Sequence, residues 1–293
     1  MQANDPMKEV FKKIRRYEIK IRKEIKNRMH GDYHSVFKGS GLEFADVRDY
    51  QYGDDVRAID WNVSAKGHGT FVKTFREEKE QNVFFILDVS GSQDIGNLNY
   101  KKLDAGREIC AVLALSAARE HGNVGIIGFS DRKELYIPAG KGLKHAYYVI
   151  LKLFKLQVKS VKTDLNACLS FSLNILKRKS VVILISDFID EHYEHNLTAL
   201  ARKHDLVIIH LAHPVEYRFP RLGIIPVYDK ETRRTRWINT SSRNFRQQFQ
   251  GGFEKRKQQL ETFCLKNDAN YLWIDVQEDY VPLLVKLFKR RKR

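Results

Sequence analysis

Asp88, Ser90 and Ser92 stand two residues apart in the run Asp88-Val89-Ser90-Gly91-Ser92, and Thr163 and Asp187 add a hydroxyl and a carboxylate downstream. Asp88 ends a short continuous apolar run, Val83–Leu87, and Ser186-Asp187 ends another, Val181–Ile185. Thr163-Asp164 leads into a helix-like stretch. Open α/β sheets bind ligands just beyond the carboxyl ends of their strands. If the two apolar runs are neighbouring strands, one rim collects two carboxylates and three hydroxyls. Oxygen donors of low total charge suit a hard cation, Mg²⁺ or Mn²⁺, that keeps part of its water shell. The two-residue spacing lets a single turn aim Asp88, Ser90 and Ser92 at one point. Taken singly, each is an ordinary strand end or helix cap; the ordered set is what points to a metal.

Other groupings carry weaker chemistry. Gly53–Asn62 mixes Asp54, Asp55, Arg57, Asp60 and Trp61, either as an ion-pair network fixing an extension or as an exposed docking patch. Gly53-Asp54 is ordinary turn chemistry, and the five residues are kept as partner-binding candidates. His192 and His195 lie three apart beside Asp190 and Glu191, with no further zinc ligand fixed by spacing. Gly140-Lys141-Gly142-Leu143-Lys144 lacks the spacing of a phosphate-binding loop, and neither Ser90 nor Ser130 sits in a GxSxG elbow. No residue stands out as a general base beside the rim, so the expectation is a binding module and not an enzyme. The catalytic rival is a metal-dependent hydrolase or nuclease with Asp88 and Asp187 holding Mg²⁺; two-metal sites of that kind use more acids.

The elements that must position the rim alternate along the chain. Val83–Leu87 suits a strand buried on both faces. A helix is expected over about Tyr100–His121, then strands Val124–Phe129 and Glu134–Ile137, and helices near Leu143–Leu156 and Leu165–Arg178. The strand Val181–Ile185, a helix near Leu197–Lys203 and the strand Leu206–Leu211 follow. The C-terminal part offers a helix near Asn244–Leu265, a strand Tyr271–Ile274 and a last helix over Tyr280–Lys289. Such alternation indicates a Rossmann-type α/β fold with a mostly parallel central sheet and helices on both faces. A hairpin insert near 213–243 pairs Ile224–Tyr228 with Arg234–Ile238. Residues 1–79 are expected to form an N-terminal helix and a β extension packed on the main domain at 80–293. The helix shows a stripe at Val10, Ile14, Tyr17, Ile21 and Ile25, as a helix laid on its own domain would. Leu42–Arg48 and Thr70–Arg76 read as strands, with Glu77–Glu80 a charged bridge.

The bulk properties bound the remaining choices. Three scattered cysteines form no disulfide framework, and neither a secretory leader nor a long apolar span is evident, so a cytoplasmic protein is expected. The net charge of +16 suits an acidic protein partner, nucleic acid or an anionic membrane surface. Much of the excess lies at the ends: residues 1–30 hold ten Lys and Arg against four acids, and Lys289–Arg293 is wholly basic. Without interleaved aromatics these ends read as solvated tails, which favours a protein partner over nucleic acid or membrane.

The five-residue set resembles the metal-ion-dependent adhesion site of von Willebrand factor A domains, with all five positions filled. Upstream, Gly39–Phe44, Val47–Tyr50, Gly53–Asn62, Ser64-Ala65 and Val72-Lys73 resemble the signature of the bacterial family called domain of unknown function fifty-eight. The specific part of that likeness spans about residues 31–92. The resemblance implies a von Willebrand factor A-like fold in which Ser90, Ser92 and Thr163 are direct or near-direct ligands and the aspartates bind directly or through water. It also implies work beside a MoxR-type AAA+ ATPase, or a client shared with it, in assembly or maturation of other proteins. Gln93 stands where many members have Met, and Arg233 where Gly is common; neither is expected to touch the metal set.

Overall fold

The computed structural model describes residues 11, 12, 14–16, 19, 38–65, 69–97, 100–229 and 234–290. They fall into two compact units, Met1–Phe37 with Asn82–Arg293, and Lys38–Gln81. In the smaller unit, β1 (Lys38–Asp49) pairs antiparallel with β2 (Phe71–Glu80), and a four-residue helix, α1 (Trp61–Ser64), lies between them in sequence. The acidic run Glu77–Glu80, expected as a bridge, is the end of β2. Its backbone pairs with β1 as far as Lys38↔Glu80, so the ladder overrides the low strand propensity of Glu and Lys.

The larger unit holds β3 (Asn82–Asp88), a minimal hairpin of β4 (Gly96–Asn97) and β5 (Tyr100–Lys101), and α2 (Lys102–Arg119). Next come β6 (Asn123–Phe129), β7 (Lys133–Gly140), α3 (Gly142–Phe154), α4 (Leu165–Ile175), β8 (Val181–Ser186), α5 (Glu194–Lys203) and β9 (Asp205–Ala212). The chain closes with β10 (Ile224–Asp229), β11 (Arg234–Asn239), α6 (Arg243–Lys266), β12 (Asn270–Asp275) and α7 (Val281–Arg290). The main sheet has the order β12-β9-β8-β3-β6-β7, parallel except for β7 at one edge.

The apolar runs are continuous because the sheet is covered on both sides. Val83, Phe85 and Leu87 face a core with α2, α3 and α7, whereas Phe84 and Ile86 face a second core with α4, α5 and α6. Side chains alternate across a strand, so every residue of β3 after the first needs to be apolar until the strand ends in Asp88. Ile14 from the N-terminal helix is fully buried in the first core, and Phe11 packs on it. The other stripe residues Val10, Tyr17, Ile21 and Ile25, and the basic residues 291–293, lie outside the described residues. The three cysteines are free and buried. Among the described residues, no helix is long and apolar enough to cross a membrane. The expected hairpin insert is β10–β11, with Leu222, Ile224, Tyr228 and Trp237 exposed.

Candidate metal centre

The chain crosses the sheet in both directions from β3: β6 and β7 lie on one side, and β8, β9 and β12 on the other. This reversal opens a crevice at the carboxyl ends of β3 and β8. Leu87 pairs with Ile185, so Asp88 and Ser186-Asp187 emerge side by side. Ser186 Oγ donates to Asp88 Oδ2 at 2.7 Å, and the Ser90 amide donates to Asp88 Oδ1 at 2.9 Å. The hydroxyls of Ser90 and Ser92 lie 3.0 Å apart, and Ser92 stands near enough to Asp187 to help lower its carboxyl. Gly91 N donates to Val161 O at 2.8 Å, which brings the loop before Thr163 against the Ser90–Ser92 turn. No other residue type fits easily at 91, because a Cβ there would sit 2.8 Å from the Val161 carbonyl oxygen. Asp164 N donates to Ser130 O, and Leu165 N to Asp190 Oδ2 at 2.6 Å, so the start of α4 is tied to the loops after β6 and β8. Contacts thus join Asp88, Ser90, Ser92 and Asp187, while Thr163 stands half-buried in the adjoining loop.

One ammonium and one neutral amide donor lie in the crevice. Lys102, the first residue of α2, is fully buried, and its Nζ is 2.7 Å from Asp187 Oδ2 and 2.6 Å from Glu216 Oε1. Gln93 reaches back from the short 3₁₀ turn Gly91–Asp94, and its Nε2 donates to Asp88 Oδ2 at 3.2 Å and to Ser92 Oγ at 3.5 Å. This corrects the expectation that Gln93 leaves the metal set untouched: the tight turn points its side chain inward, where it is buried. Lys102, Glu216 and Ser186 were absent from the expected site.

Electrostatics separates the two aspartates. Burial, and then the charge of Asp187, push Asp88 up to about 6 despite its hydrogen bonds from Ser90 and Ser186. Burial also opposes ionisation of Asp187, but the Lys102 charge and hydrogen bond outweigh it and hold that carboxyl below its usual value. Glu216 is raised by burial, against the pull of Lys102. Among the described residues no group of three or more His, Cys, Asp or Glu is placed to hold a metal; this donor set mixes two carboxylates with hydroxyls. Its chemistry fits one hard divalent ion, because the oxygen donors converge and three carboxylates, two of them buried, face one ammonium among the described residues.

The five partner-binding candidates lie in the smaller unit, and their carboxylates serve local structure. Asp54 takes both terminal nitrogens of Arg48 at 2.7 Å, Asp55 accepts from Arg57 N, and Asp60 caps α1 through Asn62 N and Val63 N. Trp61 is 67% exposed, and Tyr52, Val56 and Arg57 are exposed beside it in sequence.

The uncharacterized protein Mb1516 of Mycobacterium bovis is 24% identical over 222 residues, covering 75% of this chain and 70% of that protein. Among solved structures, the conserved hypothetical protein BatB of Bacteroides thetaiotaomicron shares 13% identity at a TM-score of 0.46, over 72% of this chain and 98% of that one. The manganese-loaded TRAP protein of Plasmodium vivax shares 17% identity at a TM-score of 0.35, over 71% and 74% of the two chains. Residues 46–259 match the model of the family described as protein of unknown function DUF58, and the chain belongs to that family.

Proposed function

We propose that this chain is a divalent-cation-dependent protein-binding module whose rim is formed by Asp88, Ser90, Ser92, Thr163 and Asp187. The observation that carries the reading is the convergence of the two carboxylates and two serine hydroxyls at the point where the sheet reverses direction. Mg²⁺ or Mn²⁺ is the cation these donors suit. When bound, it supplies a coordination position that a carboxylate of another protein fills. The chain's own residues do the rest: β3 and β8 fix Asp88 and Asp187, Ser186 orients Asp88, and the Ser90–Ser92 turn presents its hydroxyls. A net charge of +16 steers an acidic partner toward the surface. The partner we propose is a MoxR-type AAA+ ATPase or a client it shares, following the family resemblance.

The test is calorimetric titration of the purified chain with a MoxR-type ATPase in Mg²⁺ or Mn²⁺, in EDTA, and with Ser90→Ala. The expected result is binding that EDTA abolishes and Ser90→Ala weakens. An acidic-to-neutral substitution on the ATPase should weaken binding too, less than additively with Ser90→Ala if both act at one cation. Binding indifferent to EDTA and to Ser90→Ala removes the cation from the interaction. Turnover of a phosphate ester or nucleic acid that vanishes in Asp88→Ala replaces the module with a metal-dependent hydrolase.

A further inference from the structure

The lysine at the start of α2 is held at every point. Its backbone amide donates to Ile95 O at 2.8 Å, its side chain is fully buried, and its ammonium lies between Asp187 and Glu216. Glu216 is held as well: its second oxygen accepts the amide of His213 at 2.7 Å, within the turn that follows β9. A buried ion pair ordinarily matches one charge with one charge, because an uncompensated charge in a protein interior is costly. Here one ammonium serves two carboxylates, and Asp88, fully buried a short step away, has hydrogen bonds but no salt-bridge cation among the described residues. Among the described residues, three carboxylates against one ammonium leave two negative charges without an ion-pair partner.

We propose that Lys102 and Glu216, neither of them a ligand, set the charge of the crevice so that it takes one divalent ion in preference to a trivalent one. The inference rests on the cation reading given above and adds what decides the ion's valence. A divalent ion brings the cluster to neutrality, whereas a trivalent ion leaves an excess positive charge beside the Lys102 ammonium. Glu216→Gln removes one negative charge and leaves Lys102 paired with Asp187. Lys102→Met adds one negative charge. The double variant returns the cluster to its original balance with both non-ligand charges gone.

The experiment measures Mn²⁺ binding by electron paramagnetic resonance and Tb³⁺ binding by luminescence, at one pH and low salt, on four full-length proteins whose folding is checked by circular dichroism. A unit charge within the crevice should change affinity by about tenfold or more at protein-like dielectric constants. Glu216→Gln should therefore weaken Mn²⁺ binding by that factor, and Lys102→Met should raise the Tb³⁺-to-Mn²⁺ preference by as much. The double variant should return to within about threefold of wild type for both ions. If Lys102→Met does not fold, Glu216→Gln and the double variant still decide the matter. A folded Glu216→Gln protein with unchanged Mn²⁺ affinity, or a double variant that does not recover, overturns the proposal. Should wild type bind neither ion while Lys102→Met binds one, the cation reading stands and Lys102 is an occupant of the site, which overturns its charge-setting role. If none of the four proteins binds either ion, both readings fall.

Discussion

Replacing Asp88 with asparagine should cost the cation-free protein little or nothing, although the side chain is fully buried at the centre of the sheet. Burial and the neighbouring Asp187 push its carboxyl from 3.8 to about 6. A tenfold change in an ionisation equilibrium is worth about 1.36 kcal/mol, so holding this carboxylate ionised at pH 7.5 costs the folded state about 3 kcal/mol. An amide of the same shape carries no charge and escapes that cost. It gives back part of the gain, because Asp88 accepts from Ser90 N, Gln93 Nε2 and Ser186 Oγ, and an amide has one acceptor oxygen. Leaving one of these donors unpaired costs about 1–3 kcal/mol. Asp88→Asn should thus be between equal to wild type and about 2 kcal/mol more stable in urea unfolding with EDTA present. The sign with pH follows from a folded value above the unfolded one. The stability this carboxyl contributes is complete below about pH 4 and is lost as pH rises through 6. Wild type should therefore lose about 2.4 kcal/mol relative to the variant between pH 4 and pH 7. Adding Mg²⁺ or Mn²⁺ should stabilise wild type and not Asp88→Asn, since only a species that binds the folded state raises its stability. A cation-free variant more than about 2 kcal/mol less stable than wild type at pH 7.5, or a difference that is flat with pH, would refute this account of the buried charge.

The other expectations test separate links. His210 is buried against Phe188, Phe253 and Tyr271, and burial lowers it to about 3 from 6.5, so its contribution is complete above pH 6.5 and is lost as pH falls. At pH 5 the loss is about 2 kcal/mol, set by the unfolded value alone, and His210→Phe should remove that increment in paired urea curves at pH 7.5 and 5. Gly91→Ala brings a Cβ to 2.8 Å from the Val161 carbonyl oxygen; about 1–3 kcal/mol should be lost and Mn²⁺ binding weakened together, and an unperturbed melt with full binding would disprove the close approach. Trp237→Ala on the exposed face of the hairpin should stay within about 0.5 kcal/mol of wild type in a thermal melt, and a large drop would mean the indole packs against something.

What the sequence discloses about this site divides by range. Asp88, Ser90 and Ser92 are legible because their spacing is local and because Val83–Leu87, buried on both faces, announces the strand that ends at Asp88. Gln93 is only one residue further on, but it falls outside the two-residue spacing of the donors; the 3₁₀ turn folds its amide back under Asp88. Lys102 carried a signal that composition masked. It shares a helical face with Ala105, Gly106 and Ile109, all buried, so helical periodicity places a lysine on an apolar stripe. In a chain with 52 Lys and Arg, one more basic residue beside Lys101 attracts no notice. Glu216 gives no local sign at all. It lies 114 residues from Lys102 in the 3₁₀ turn Pro214–Glu216, and the pairing of β8 with β9 brings that turn to the crevice. Ligand spacing is therefore written in short stretches of chain, whereas the net charge a ligand meets is a property of the folded sheet. A sequence can name the donors of such a site and still leave the valence of its ion undecided, because the residue that neutralises Asp187 comes from a different element than the residue that holds its neighbour.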